Sequence, residues 1–166
     1  MEKFSIRQAT RSDLKEIAYL TAEFRVTLKA LRGVEARPDI SAAQAELEEY
    51  LAAGYPVYAA VTAGGQYTGY IVCRVEEPCV WAESIYVCPE KRRCGIASAL
   101  FEKAEELARS YGEETVYNYV HPNNDKMIGF LASKGYNVLN LIEIRKPYNG
   151  EKLHTKMQVG GNSFDY

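Results

Sequence analysis

The segment 83–111 constrains the fold more than any other part of the sequence. A strand-like run ends near Pro89, a basic turn follows at residues 92–97, and an amphipathic helix begins near Gly95. The first N–H groups of a helix have no partner within it, and the helix dipole adds partial positive charge there. Gly95 lets the backbone approach an anion closely, and Ala97 is too small to block it. The segment therefore predicts a pyrophosphate-binding loop between a strand and a helix.

Two common phosphate-binding motifs do not fit this loop. The dinucleotide motif needs three spaced glycines, and the nucleoside triphosphate motif ends in Gly-Lys-Ser/Thr. The loop instead resembles the (Gln/Arg)-x-x-Gly-x-(Gly/Ala) motif of the GNAT superfamily of acyl-CoA-dependent N-acetyltransferases. The similarity extends over Ile85–Leu100, which matches the fourth strand, the pyrophosphate loop and the third helix of that family.

A second segment resembles the same family. Residues Asn124–Tyr136 are similar to the motif Asn-x-x-Ala-(Ile)-x-x-Tyr-x-x-x-Gly-Phe, a helix beside the cofactor followed by a strand. The resemblance covers roughly 115–144 together with the loop region, and the N-terminal third agrees in the order of its elements only. It implies an acetyl-CoA-dependent N-acetyltransferase with acetyl-CoA as co-substrate.

Hydrophobic periodicity predicts the element order βααβββαβαββ. The expected strands are 4–7, 55–63, 66–75, 79–87, 115–120, 137–146 and 153–159, and the expected helices are 12–32, 41–53, 95–111 and 124–134. Thr10 and Asp13 have the spacing of a capping box, and Ser41 is the expected cap of the second helix. A turn at 147–150 would return the last strand antiparallel to 137–146, and 160–166 reads as an irregular tail.

The resemblance and this order together imply an α/β (α+β) protein with the GNAT fold. We expect a central mixed, mostly antiparallel sheet with a splayed parallel strand pair, flanked by helices. The parallel pair would be strands 79–87 and 115–120, joined by helix 95–111 in a right-handed crossover. Residues 1–166 are predicted to form one domain, with 147–166 as a C-terminal hairpin strand and tail.

Composition excludes several classes of function. The net charge is −2 and the isoelectric point about 5.8, which argues against nucleic acid as a general partner. No apolar stretch approaches the length of a membrane span, and Met1–Phe4 leads directly into a strand pattern without a signal segment. Cys73, Cys79, Cys88 and Cys94 lack metal-ligand spacing, and only two histidines are present, so no metal site is expected. The prediction is a cytoplasmic protein with free thiols.

The resemblance also assigns candidate cofactor contacts. Pantetheine would pair with the strand at Ile85, Tyr86 and Val87, and the backbone amide of Val87 would face the acetyl carbonyl. The residues expected at the pyrophosphate are Arg92, Arg93, Gly95, Ile96, Ala97 and Ser98. Asn124 matches the asparagine at the helix start that contacts the cofactor.

Glu83 and Leu131 are the two positions that bear on acid–base catalysis. An acid at position 83 resembles spermidine/spermine-type and aminoglycoside-type acetyltransferases, in which it binds or deprotonates the acceptor amine; the alternative is a solvated or salt-bridged strand residue. Leu131 stands where many members have a tyrosine that protonates the departing thiolate, so that acid is missing. Tyr117, Tyr119 and Tyr136 are possible substitutes, although packing roles are as good an explanation.

The acceptor is the least determined part of the prediction. Glu83 favours a small-molecule amine, and the alternatives are a protein N-terminus or lysine, or a non-catalytic acyl-CoA-binding regulatory domain that Leu131 would suit. A homodimer is left open.

Overall fold

A five-stranded sheet runs through the first of two compact units, Met1–Phe130, and a short hairpin closes the second, Leu131–Tyr166. The computed structural model of this protein describes residues 3–166. Met1 and Glu2, at the start of the segment predicted to lack a secretion signal, lie outside the described residues. No helix among the described residues combines the length and the apolar character needed to cross a bilayer.

The sheet of the first unit has the mixed character that the sequence predicts. Its strands are β1 (Phe4–Gln8), β2 (Val57–Thr62), β3 (Tyr67–Glu76), β4 (Cys79–Val87) and β5 (Tyr117–Asn118), in that spatial order. The first four pair antiparallel, and β4 and β5 pair parallel. The predicted fold class is confirmed, but β5 is much shorter than the expected 115–120.

Helices α1 (Leu14–Ala30) and α2 (Ile40–Ala52) precede the β2–β3 hairpin. A 3-10 turn at Arg11–Asp13 leads into α1, and its capping box between Thr10 and Asp13 is present as predicted. The predicted cap of α2 is wrong: Asp39, not Ser41, accepts the hydrogen bond from the Ala42 amide, at 2.9 Å. Both are good capping residues, and Asp39 lies at the extended position where a cap must sit.

Helices α3 (Ile96–Ser110) and α4 (Asp125–Ser133) follow β4 and β5. On α3, Leu100 and Ala104 are buried, whereas Tyr111 caps the helix and is exposed. On α4, Leu131 is buried and Ile128 is exposed.

The core of the first unit lies between the sheet and its helices. Its largest fully buried side chains include Tyr70, Phe101, Ile17 and Leu47. At Gly69 on β3 the neighbouring backbone comes so close that a Cβ atom would lie 2.8 Å from the Tyr86 carbonyl oxygen. Glycine at this position therefore lets β3 and α3 close on β4 where the predicted cofactor strand ends.

The second unit differs from the sequence prediction. The run 137–146 is not a strand, and β6 (Lys156–Val159) pairs with β7 (Asn162–Asp165) rather than with it. Residues 160–166, expected to be irregular, thus supply the turn and the second strand of this hairpin. A β-prone run becomes a strand only where a neighbour completes its ladder, and among the described residues 137–146 has no such neighbour.

Candidate functional site

One edge of β4 is open at the end that precedes the basic loop. The Cys88 amide donates to the Thr68 carbonyl of β3 at 3.0 Å. Hydrogen-bonded and non-hydrogen-bonded pairs alternate in an antiparallel ladder, so Val87, opposite Gly69, belongs to a non-hydrogen-bonded pair. The amide and carbonyl of Val87 therefore point away from β3, and those of Ile85 do the same.

The strand on the other side of β4 does not pair with these groups, although the Val87 carbonyl accepts a hydrogen bond from Arg92. β5 pairs with β4 only at Trp81 and Ala82, through Tyr117 and Asn118. The backbone of Ile85–Val87 consequently faces the gap where the two parallel strands separate. This is the splayed pair that the family resemblance implies, and its unpaired backbone amides can pair with an extended ligand. At its mouth the Oδ1 atom of Asn118 is buried without a hydrogen-bond partner in the described part of the chain.

The basic loop adopts the backbone of an anion-binding site. Arg93 has φ +64° and Gly95 has φ +84°, both in the left-handed region. The first helical hydrogen bond of α3 runs from the Ala99 amide to the Gly95 carbonyl, so the amides of Ile96, Ala97 and Ser98 precede it. These amides, two left-handed residues and the helix dipole create a concave, positively polarised site.

Arg92 is engaged within the protein. Its Nε donates to the Val87 carbonyl at 3.0 Å, and its guanidinium lies 5.5 Å from the centre of the Tyr86 ring. This side chain thus joins the loop to the end of β4, whereas Arg93 is exposed. Of the two arginines, Arg93 is the one whose guanidinium is free to turn toward a phosphate.

Asn124 acts as the cap of α4. Its Oδ1 accepts from the Met127 amide at 3.2 Å, and its carbonyl accepts from the Ile128 amide at 2.9 Å. The side-chain NH2 group is left for other contacts. Leu131, seven residues further on, is only 6% exposed, as expected of a packing residue.

Glu83 lies at a β-bulge in β4. The register places Ala82 opposite Cys73 and Ser84 opposite Val72, which leaves Glu83 as the extra residue. A bulge re-aims the side chain at that point, so the strict alternation assumed from the sequence is broken here.

Arg74 of β3 holds Glu83 in place. Its Nε lies 3.1 Å from Oε2 of Glu83, as an ion pair without the geometry of a hydrogen bond. The guanidinium is also 4.4 Å from the centre of the Trp81 ring and 5.8 Å from that of Tyr119. Glu83 is therefore salt-bridged, the alternative that the sequence left open, and sits at the parallel strand pair.

A second polar cluster joins α1 to α2. Arg25 Nε donates to Glu46 at 2.9 Å, and the Tyr50 hydroxyl donates to the same carboxylate at 3.0 Å. Burial raises the pKa of Tyr50, and the negative charges of Glu46 and Glu83 raise it further.

Arg25 and Glu46 of this cluster line a cavity of about 250 Å³ between α1, α2 and their connecting loop. The sequence prediction missed Arg25, Glu46, Tyr50 and Arg74 as site residues. The pairs are 21 and 25 residues apart for α1 and α2, and nothing local in the sequence signals them.

Comparisons with known proteins agree with this geometry. Residues 18–136, more than half of the chain, match the model of the acetyltransferase (GNAT) family. The chain therefore belongs to the GNAT family of acetyltransferases. Membership makes it an acetyl-CoA-dependent N-acetyltransferase, with acetyl-CoA as its co-substrate.

Solved structures share the fold at low identity. Aminoglycoside N-acetyltransferase AAC(6')-Iy, solved with the bisubstrate analogue CoA-S-monomethyl-acetylneamine, is 23% identical, with a TM-score of 0.65 over 88% of this chain and 99% of its own. The PaiA N-acetyltransferase of Thermoplasma acidophilum, in complex with coenzyme A, is 18% identical, with a TM-score of 0.67 over 80% and 88%. AAC(6')-Ih of Acinetobacter baumannii is 17% identical, with a TM-score of 0.65 over 88% and 99%.

Proposed function

We propose that this protein acetylates a primary amine of a small molecule by direct transfer from acetyl-CoA. The observation that carries the proposal is the open edge of β4 between the left-handed loop at Gly95 and the bulge at Glu83. A ligand bound at the loop and paired along Ile85–Val87 would lead its thioester toward Glu83. Both reactants would then meet in one gap, which is the main requirement of direct transfer.

The thioester carbonyl needs a hydrogen-bond donor as negative charge develops on its oxygen. The Val87 amide points into the gap and is fixed by the sheet, so it costs no reorganisation during the reaction. The amine nitrogen forms a bond to the carbonyl carbon, and the carbon–sulfur bond breaks. The thiolate leaves without a side-chain acid at Leu131 and takes, through water, the proton that the attacking nitrogen gives up as the amide forms.

The amine must lose a proton to react. We assign Glu83 to the acceptor amine, with Oε2 held by Arg74 and Oε1 directed at the substrate ammonium or at a water molecule beside it. Removal of that proton, directly or through water, yields the neutral amine that attacks. Arg74 keeps the carboxylate in place, and Trp81 keeps Arg74 in place.

The acceptor is proposed to be small because of the space available. The cavity of about 250 Å³ beside Arg25 and Glu46 is bordered by the loop between α1 and α2. Aminoglycoside acetyltransferases among the structural relatives support an amine of this size class.

Steady-state release of coenzyme A, followed by chromatography, tests the proposal with a panel of polyamines, amino acids, aminoglycosides, and peptides with a free N-terminus or lysine. The expected result is turnover with a small amine that is lost in Gly95→Val. Turnover restricted to peptides would replace the small acceptor by a protein. Coenzyme A release at the uncatalysed rate with every amine, combined with thermal stabilisation by acetyl-CoA, would identify a regulatory binding domain instead.

A further inference from the structure

The cavity between α1 and α2 has an uneven balance of charge. Its lining contains five charged side chains: Arg25, Lys29, Arg37, Asp39 and Glu46. The rest of the lining is small and apolar, and it includes the buried Ala22 and Ala43. The cavity therefore combines an apolar floor with three positive and two negative groups.

Arg25 and Glu46 neutralise each other. Nε of Arg25 donates to Oε2 of Glu46 at 2.9 Å, and Nη2 of the same guanidinium donates to Oε1. The carboxylate also accepts the Tyr50 hydroxyl at 3.0 Å. A bidentate pair of this kind fixes both side chains and adds no net charge to the cavity.

The other carboxylate of the lining is engaged at a helix start. Oδ1 of Asp39 accepts from the Ala42 amide at 2.9 Å, at the N-terminus of α2, where the helix dipole favours a negative charge. Glu35, two residues before Arg37, borders the neighbouring groove and not this cavity.

Lys29 and Arg37 are the cations that these carboxylates leave over. Both line the cavity from its exposed side, Lys29 on α1 and Arg37 on the connecting loop. Within the described residues, neither side chain has an ion-pair partner. Their positive charge is therefore available to a ligand.

The cavity lies close to the strand that faces the gap. The guanidinium of Arg25 is 5.4 Å from the centre of the Phe24 ring, and that ring is 6.3 Å from the ring of Tyr86. Tyr86 belongs to Ile85–Val87, whose backbone faces the gap between β4 and β5. Two ring contacts thus join the cavity wall to the place proposed for acetyl transfer.

We propose that Lys29 and Arg37 select an acceptor that carries a carboxylate as well as its reacting amine, as a small amino acid does. The inference rests on the proposed acetyl transfer and names the class of its acceptor. The ammonium end goes to Glu83, the carboxylate goes to the two cations, and the apolar floor accommodates the carbon chain between them. A polyamine would instead place a second positive charge beside Lys29 and Arg37, which repel it.

Acceptors that differ only at the far end test this selection. Coenzyme A release is measured with 4-aminobutyrate, 4-aminobutanamide and 1,4-diaminobutane, and with their shorter and longer homologues. At the best chain length, kcat/KM should be about 10-fold higher for the carboxylate than for the amide, and lowest for the diamine, because a charge-assisted hydrogen bond exceeds a neutral one. Equal values, or a preference for the diamine, would overturn the proposal.

Variants assign the preference to the two cations. Lys29→Gln combined with Arg37→Gln should raise KM for the carboxylate about 10-fold and leave both kcat and the KM of the amide near the parent values. Lys29→Arg keeps the charge and should keep the preference. Lys15→Gln is the matched control, since Lys15 is an exposed cation of α1 outside the cavity lining. A carboxylate preference that survives in the double variant would refute the assignment.

Binding without turnover separates this inference from the acetyl transfer itself. 4-Aminobutyrate and its homologues are titrated by calorimetry into protein saturated with coenzyme A. The best of them should bind to the parent and about 10-fold more weakly to the double variant. If none binds, the inference is wrong. If one binds as expected but no amine releases coenzyme A from acetyl-CoA, the selection by Lys29 and Arg37 stands and the proposed transfer fails.

Discussion

Arg74 and Glu83 form an ion pair across β3 and β4, with 3.1 Å between Nε of the arginine and Oε2 of the glutamate. The pair joins a bulge on β4 to the face of Trp81, so the carboxylate has a fixed direction at the parallel strand pair. Nε of Arg74 is buried and has no hydrogen bond within the described residues. A bound ammonium at Glu83 could therefore shift the pair without breaking an existing hydrogen bond of that atom.

The first prediction separates the two carboxylates that contact Arg74. Glu83→Gln should lower kcat/KM for the amine by about 100-fold at neutral pH, because the amide cannot accept the proton. The affinity for acetyl-CoA should be nearly unchanged. Part of the lost rate should return at high pH, where free amine is already present in solution.

Glu76→Gln is the control for this prediction. Glu76 contacts the same guanidinium at 2.8 Å, but its side chain is 58% exposed and lies at the end of β3. It should keep the parent rate. Equal rates for Glu83→Gln and the parent across the pH range would remove Glu83 from the mechanism.

The second prediction concerns Gly95, the left-handed glycine of the basic loop. Gly95→Ala should destabilise the fold by about 1 kcal/mol, because φ is +84° and any Cβ is strained there although no atom lies within 4 Å of it. It should also weaken acetyl-CoA binding, measured by calorimetry, because relief of that strain turns the amides at the start of α3.

Gly54→Ala provides the matched case, with φ +77° and equally open surroundings at the end of α2. It should lose similar stability in urea unfolding and bind acetyl-CoA like the parent. If both variants bind acetyl-CoA equally well, the pyrophosphate site lies elsewhere.

The third prediction tests whether the missing tyrosine matters. Leu131→Tyr should change turnover only modestly, since a thiolate is a good leaving group and the residue is a buried packing side chain, 6% exposed. Some stability should be lost, about 1–3 kcal/mol, because the larger ring overfills its site. A rise in kcat of about 100-fold, the usual contribution of a positioned acid, would mean that proximity alone does not explain catalysis here.

The fourth prediction is a pH dependence of stability at Asp13. Hydrogen bonds from Arg7, and then from Tyr67 and Thr10, hold the pKa of this buried carboxyl far below its usual range against the opposing effect of burial. Its stabilising contribution is thus complete above about pH 4, the pKa of an unfolded aspartate, and is lost as pH falls toward the lowered value. Asp13→Asn should cost about 2 kcal/mol at neutral pH.

Urea unfolding of parent and variant between about pH 5 and pH 2 measures this effect, and their difference should narrow as the pH falls. Asp165→Asn, which removes an exposed ion pair with Lys156, should change stability by less than about 0.5 kcal/mol. A difference between parent and Asp13→Asn that stays constant over this range would contradict the assignment.

The sequence by itself determined the features that depend on residues close together in the chain. The loop at Gly95, the capping box of Thr10 and Asp13, and the hairpin of β2 and β3 depend on neighbouring residues, so their patterns were sufficient. The class of protein followed from two such segments, because a phosphate loop and a helix cap are built from consecutive backbone amides.

What only the tertiary structure decided is how distant residues meet. The bulge that directs Glu83, its partner Arg74, and the cluster of Arg25 and Tyr50 depend on register and on contacts between elements far apart in the chain. The prediction of a strand at 137–146 was wrong for the same reason. Strand propensity is a property of the segment, but a strand forms only where another strand supplies its hydrogen bonds.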